Sequence, residues 1–457
     1  MANILYLVHK MKFDFLFGNY LRKFHNVTFM TSDPMIGLFL DSQYEDSVHL
    51  YKVNPVQGEN KSSLRIESAL ARTHFYTLAK DRKIKQAFHH LCATYLEFLD
   101  DYLIKNNVDL IITQAKNFLD SACITAVAND NNLPVCYLGG GFFRGESCGV
   151  LWEPLRVFEP AIWQKRWDNA TKRTIVPSIE VPDMQYDPVE IKKPSRLASL
   201  LQKTRYQRNP FWVSQHPDLR PTRSLLNDLR HQSLKSSGKH LPDQTSLTLP
   251  EEFVLVPLQG NEICGEVPNP LGITNMECLA TLVEDALQKL NSGKKNKIRM
   301  VVKEHPARPG IISDKYKQQH PDVLFLYKYP MAKLLEKTKL VVTFNSLAGF
   351  EALQHYKPVI TFGPLFYTLP KLVYRCEDIN LFPSLINKAI SDGCDRNSVD
   401  DFVAFLKNHF EIPCPGFNRK NPTKEMFQKI HGKIEGILDF CRSHPCSPRD
   451  CIPGEDY

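Results

Sequence analysis

The sequence predicts an α/β chain with two Rossmann-like domains facing a cleft. Three observations carry this expectation. Short apolar or β-branched runs alternate with stretches of helical spacing, the alternation occurs twice, and a basic segment without long apolar periodicity separates the two series. Strands alternating with helices imply parallel sheets built from right-handed crossovers. At 457 residues, 43% hydrophobic and 23% charged, the chain is long for one core and suited to two.

In the first series, "NILYLV", "VTFMTS", "DLIITQ" and "LPVCYLG" read as strands, and "LCATYLEFLDDYLIKNN" has helical spacing. The separating segment, residues 191–250, holds eleven Lys and Arg against three Asp and Glu, with Pro and Ser interspersed. In the second series, "EFVLVPLQ", "KIRMVVKEHP", "DVLFLYK", "LVVTFNS" and "PVITFGP" are strand candidates, and "NMECLATLVEDALQKL" and "AGFEALQHY" are helices. The expected domains are therefore residues 1–190 and 251–440, with 191–250 as a basic interdomain linker and 441–457 as a tail.

Composition narrows the function classes. The net charge of +7 concentrates in the linker, where a basic surface can meet nucleic acid, anionic lipid or an acidic glycan. No finger, helix-turn-helix or aromatic-basic signature accompanies it, so nucleic acid is not expected as a partner. No apolar stretch approaches the roughly 18 to 20 residues that cross a bilayer, and "ILYLV" is too short for a signal peptide. A cytoplasmic protein is expected, with membrane contact at most peripheral, through the linker or a basic helix near Lys424, Lys429 and Lys433. The twelve cysteines are scattered, mostly in apolar segments such as "SACITAV", and read as buried reduced thiols. Cys441, Cys446 and Cys451 with His444 fit no zinc spacing, so no metal site is expected in the tail.

In open parallel sheets, ligands collect beyond the carboxyl ends of the strands. Polar clusters stand at those positions here. After "FVLVP" come Gln259, Gly260 and Asn261; after "IRMVV" come Lys303, Glu304, His305 and Pro306; after "LVVTF" come Asn345, Ser346 and Gly349. "TFNSLAGFEAL" reads as strand, tight turn and helix start. Asn345 or Ser346 caps the helix, Gly349 permits close approach of a ligand or backbone, and the free N–H groups suit a phosphate. Glu351, in the first turns, can accept from ribose hydroxyls. His305 precedes a proline, which holds its backbone extended, and Lys303 and Arg308 add charge nearby.

"VLVPLQ", "VVKEHP" and "VVTFNSLAGFEALQHYKPVITFG", in that order, resemble the capsular polysaccharide synthesis proteins of Gram-negative bacteria, and among them the β-Kdo transferases. The resemblance is good from 250 to about 370. It implies a GT-B glycosyltransferase whose C-terminal domain holds CMP-Kdo. By position, His305 and Pro306 match the family's His-Pro motif at the CMP phosphate, Ser346 and Gly349 its Ser-x-x-Gly turn, Glu351 the residue that follows, and Gln259 its Pro-x-Gln strand end. The resemblance places acceptor binding and the catalytic carboxylate in the N-terminal domain. The corresponding stretch, "LGGGFFRGESCGVLWEP", keeps Gly141, Phe142 and Arg144, but Gly139 and Gly140 replace the family's Glu-Asn pair. Glu153 is the expected catalytic carboxylate, with Glu146 and Glu159 as rivals.

On this reading, His305, Lys303 and a helix N-terminus stabilise the departing CMP phosphate, and no cofactor or metal is required. A carboxylate opposite acts as base or as nucleophile, and the residues leave both open. Arg144 and Lys10 are candidates for the sugar carboxylate or an acidic acceptor. The partners implied are a nucleotide-sugar donor and a lipid-linked or glycan acceptor. Another CMP- or CDP-donor enzyme, a sialyltransferase or glycerophosphotransferase, stays open, as does a non-catalytic glycan- or nucleotide-binding assembly partner. A dinucleotide-binding role for "GGGFF" is disfavoured, because it lacks the G-x-G-x-x-G spacing and a following acidic residue.

Overall fold

The computed structural model describes residues 1–9, 11–44, 46–54, 63–71, 73, 76, 82–114, 118–143, 147–151, 158–172, 178–182, 244–260, 264, 267, 269–304, 310–415 and 422–443. The first series folds as β1 (Asn3–Leu7), α1 (Met11–Leu21), β2 (Asn26–Thr31), α2 (Pro34–Asp41), β3 (Val48–His49), α3 (Ser63–Ala71), α4 (Arg82–Lys105), β4 (Leu110–Gln114), α5 (Leu119–Asp130), β5 (Val135–Gly139) and β6 (Ser147–Leu151). After α6 (Pro160–Asp168), the second series gives β7 (Phe253–Pro257), α7 (Met276–Asn291), β8 (Arg299–Lys303), α8 (Asp314–Gln319), β9 (Leu324–Leu326), α9 (Met331–Lys337), β10 (Leu340–Thr343), α10 (Leu347–Gln354), β11 (Val359–Thr361), β12 (Tyr374–Arg375), α11 (Phe382–Asp392) and α12 (Arg396–Phe410). The last described elements are β13 (Ile412–Pro413) and α13 (Lys424–Ser443).

The first sheet has the order β13-β6-β5-β4-β1-β2-β3, parallel from β3 to β5 and antiparallel at β6 and β13. The second has the order β12-β11-β10-β7-β8-β9 and is parallel throughout. Strands β7 and β10 are buried at every position, which is why they read as continuous β-branched runs and not as alternating ones. In both sheets the first strand of the series is central. The chain builds to one side of it, then crosses to the other, so each sheet has one switch point, β1/β4 in the first and β7/β10 in the second. At such a point the following loops diverge to opposite faces and leave a crevice.

Two compact units result, residues 1–155, 171–222 and 406–457 in one and 156–170 and 223–405 in the other. The boundary expected at 440 is corrected by this division. Helix α13 contributes Met426, Phe427, Ile430, Ile434, Ile437 and Leu438 to the core built on β1, α1 and β2. Each such buried side chain stabilises by about 1.5–3 kcal/mol. Conversely, α6 joins the second unit, where Trp163 is fully buried and packs edge-on against Phe366 at 5.7 Å. Residues 191–243 of the expected linker lie outside the described residues.

Among the described residues no helix is long and apolar enough to cross a membrane. The lysines of α13 do not form a free basic face. Lys429 pairs with Glu425 at 3.0 Å, and Lys433 is half-buried, its pKa lowered by that burial.

Candidate functional site

The second unit presents its polar strand ends at the β7/β10 switch point. Gln259, two residues beyond β7, donates from Nε2 to Asn345 Oδ1 at 2.6 Å, and Asn345, two residues beyond β10, donates from Nδ2 to the Pro364 carbonyl at 3.1 Å. This chain of donors fixes the orientation of both amides. It also leaves Gln259 Oε1, a buried acceptor, with no hydrogen-bond partner among the described residues. An unpaired buried acceptor at a switch point suits a ligand donor such as an amine or hydroxyl.

Ser346 caps α10 in extended backbone, and its hydroxyl accepts from the Ala348 N–H at 3.2 Å. Gly349 was expected to admit a ligand or backbone. The neighbour it admits is Tyr367, whose hydroxyl occupies the space a Cβ would take and donates to the Ser346 carbonyl at 2.5 Å. Glycine is required there by an internal packing contact. Glu351 is half-buried one turn further along α10.

Lys303 ends β8 with its ammonium turned back on the sheet edge, donating to the carbonyls of Glu304 at 3.0 Å and Tyr327 at 2.5 Å. Burial lowers its pKa, against the pull of Glu304. Two of its three donors are thus engaged without a ligand. Glu304 is itself buried, ion-paired to Lys317 at 2.7 Å, and accepts the Gly310 N–H at 3.0 Å. That carboxylate therefore ties together the two ends of the 305–309 segment. His305, Pro306 and Arg308 lie within this segment, outside the described residues, as do Lys10, Arg144, Glu146 and Glu153.

In the first unit the β1/β4 switch point carries a cluster that the sequence reading missed. His9 follows β1, Ser32 follows β2, Thr113 and Gln114 end β4, and Asp120 and Ser121 open α5. His9 Nε2 lies 3.1 Å from Ser121 Oγ and 3.5 Å from Thr113 Oγ1, while Thr113 Oγ1 and Ser121 Oγ are 3.1 Å apart. On the other side of the ring, His9 Nδ1 is 3.9 Å from Asp120 Oδ2, which accepts a hydrogen bond from the Ser32 hydroxyl. Beneath lies Asp14, fully buried in α1, whose carboxylate accepts from Gln114 Nε2 at 2.9 and 3.1 Å and from the His9 N–H at 2.9 Å. The loop after β1 is thereby clamped to the end of β4. A histidine between a carboxylate and two hydroxyls can take and return a proton.

A further carboxylate stands at the "GGGFF" stretch. Glu411 accepts the Phe142 N–H at 2.6 Å on one oxygen and the Ser147 hydroxyl on the other. Burial raises its pKa to about 7 despite those two hydrogen bonds, which lower it. Glu411 comes from 269 positions away in sequence, so no local motif announces it. Glu159, one of the expected rivals, is exposed at the N-cap of α6 and belongs to the second unit. It is removed as a carboxylate of the first unit.

Residues 247–379 match the family described as capsule polysaccharide biosynthesis protein. That segment contains β7 to β12 and every strand-end residue of the second sheet named above as a candidate, so the family resemblance read from the strand ends is borne out there. FixF of Sinorhizobium fredii (strain NBRC 101917 / NGR234) is 32% identical over 177 residues, which are 37% of this chain and 40% of that protein. The chain thus matches two-fifths of that relative's length. The capsule polysaccharide export protein KpsS of Escherichia coli is 42% identical over 53 residues, 12% of this chain and 14% of that protein. Among solved structures, KpsC of Thermosulfurimonas dismutans, a β-Kdo 2,4 transferase, is similar at 18% identity over 65% of this chain and 79% of that one, with a TM-score of 0.31.

Proposed function

We propose that this chain, whose residues 247–379 belong to the capsule polysaccharide biosynthesis family, is a glycosyltransferase of surface polysaccharide assembly that moves Kdo from CMP-Kdo to a lipid-linked or glycan acceptor. The observation that carries the reading is the Gln259–Asn345 hydrogen bond across the β7/β10 switch point, with Gln259 Oε1 left as an unpaired buried acceptor beside the capped start of α10. A nucleotide supplies what that crevice lacks. Its amine or ribose hydroxyl donates to Gln259 Oε1 and its phosphate meets the N-terminus of α10, while His305 keeps the phosphate contact that the family resemblance gives it.

As the glycosidic bond breaks, negative charge grows on the CMP phosphate. Fixed donors at that position stabilise the departure without a metal. The acceptor hydroxyl loses a proton, and the first unit offers two groups suited to receive it: His9, hydrogen-bonded to Ser121, and Glu411, whose raised pKa matches acid–base work near neutrality. Glu153 and Arg144 keep the roles the family resemblance gives them, and contact with a membrane-borne acceptor is peripheral.

The decisive assay is CMP release from CMP-Kdo generated in situ, with and without a Kdo-primed lipid acceptor. Acceptor-dependent release that disappears in His305→Ala and Gln259→Ala supports the reading. Tight CMP binding with no Kdo transfer would redirect the search to other cytidine-linked donors, and absence of CMP binding would sink the proposal.

A further inference from the structure

Away from both strand-end sites, the first unit gathers three metal-ligating side chains on one point. His25 immediately precedes β2, and His431 and Glu435 stand at i and i+4 on α13, where helix pitch puts them on one face. His25 Nε2 is 3.1 Å from His431 Nε2 and 2.9 Å from Glu435 Oε1, and that oxygen is 3.1 Å from His431 Nε2. The three donor atoms form a nearly equilateral triangle. Zinc takes His nitrogen at about 2.0–2.1 Å and carboxylate oxygen at about 2.0–2.2 Å, so adjacent ligand atoms of a tetrahedral site are about 3.3 Å apart. The triangle is one face of such a tetrahedron, tighter by a few tenths of an ångström.

Protons serve this arrangement poorly. Two N–H groups aimed at the same carboxylate oxygen would bring their hydrogens together across the 3.1 Å gap between the nitrogens, so one Nε2 must present a lone pair. His25 Nδ1 accepts the Ala2 N–H at 3.4 Å, which puts that ring's proton on Nε2. The inward lone pair is then on His431, and the proton it displaces sits on Nδ1, a buried atom with no hydrogen-bond partner among the described residues. Both rings are buried, so the conflict between them is not relieved by solvent. A divalent cation removes the conflict by accepting a lone pair from each ring and from the carboxylate. Loading it moves the His25 proton from Nε2 to Nδ1 and opens the long contact to Ala2.

We propose that His25, His431 and Glu435 bind a zinc ion that staples α13 to the first sheet. Glu435 is 26% exposed at its side chain, so solvent reaches the carboxylate side of the cluster and can supply the fourth ligand. The site lies at the amino end of β2, opposite the edge where ligands of parallel sheets collect, which assigns it to structure and not to the transfer reaction. It joins segments 406 residues apart, and α13 supplies a large part of the core it would anchor.

The test uses the full chain, stripped with a chelator, reloaded with Zn2+, desalted and assayed for bound metal and thermal midpoint. The wild type should hold one equivalent more zinc than His25→Ala/His431→Ala, and only the wild type should gain in midpoint on reloading. Because the double variant removes buried rings and can fail to fold, Glu435→Gln, altered at the exposed side, is the second probe. It should fold and bind Zn2+ about tenfold more weakly or worse. Equal zinc content and affinity in the wild type and Glu435→Gln, or a wild type that takes up no zinc, overturns the proposal.

Discussion

Gln259 Nε2 and Asn345 Oδ1 lie 2.6 Å apart, joining the loops that follow the two central strands of the second sheet. Asn345 is buried, and truncating it strands both the Gln259 amide and the Pro364 carbonyl. Asn345→Ala should therefore cost about 1–3 kcal/mol in urea denaturation. Gln259→Ala, at a half-buried position, should cost less in stability and more in CMP affinity, measured by calorimetry. Equal CMP affinity in Gln259→Ala and the wild type would remove the side chain from the nucleotide site.

Gly349 and Tyr367 form a second coupled pair. A methyl at Gly349 runs into the Tyr367 hydroxyl, an atom held by its own bond to the Ser346 carbonyl. Gly349→Ala should lose about 1–3 kcal/mol through overpacking. Tyr367→Phe removes the obstructing oxygen, so the double variant should be more stable than the sum of the two single losses predicts. Simple additivity in a thermal or urea cycle would show that the glycine serves something other than this contact.

Glu304 bridges Lys317 and the Gly310 N–H from a buried position. Glu304→Gln neutralises the buried partner and leaves the half-buried Lys317 with the Tyr327 hydroxyl at 2.6 Å and the exposed Asp314 at 3.9 Å, at a cost of up to about 3 kcal/mol. Lys317→Met in the same chain should recover part of that loss, because a half-buried charge that has lost its buried partner costs more than an apolar replacement. Urea midpoints of the three variants decide it, and no recovery would mean that the Gly310 bond carries the effect.

His9 separates binding from chemistry. His9→Ala and Ser121→Ala should reduce acceptor-dependent CMP release by about 100-fold or more, the usual yield of a positioned acid–base group. CMP affinity should not change, since its site is assigned to the other unit. A parallel fall in CMP affinity would contradict that division.

The strand–helix alternation was legible because strands buried on both faces are unbroken apolar runs: "FVLVP", "RMVV" and "LVVT" became β7, β8 and β10 where expected. Strands β3, β12 and β13 have two residues each and no pattern to read. The return of α13 to the first unit was hidden for a different reason: its apolar face is visible, but its partner in α1 is some four hundred positions away. At the sites, Gln259 and Asn345 were readable as polar residues at strand ends. The same rule applied at β1 pointed to Lys10 and passed over His9 beside it. The signal that would have caught the rest of that cluster is "LDSACITAV", where two polar residues interrupt the apolar start of a helix that proves buried along most of its length. Nothing local marks Glu411, whose partners Phe142 and Ser147 are reached only through the fold.

Glu411 also gives the protein a pH dependence of stated sign. Its pKa is raised to about 7 in the folded chain, mainly by burial, whereas an unfolded glutamate titrates near 4.3. The folded state therefore binds this proton more tightly than the unfolded one. Its contribution is fully present below about pH 4 and is lost as pH rises through about 7, by up to about 3 kcal/mol. Glu411→Gln cannot ionise and keeps an acceptor for the Phe142 N–H, so its stability relative to the wild type should rise over that interval and level off above it. Urea midpoints of the two proteins between pH 5 and 8 read this difference directly, since groups common to both cancel. A constant offset across the range would mean that Glu411 ionises as an ordinary carboxylate, and its assignment as an acid–base group near neutrality would fall with it.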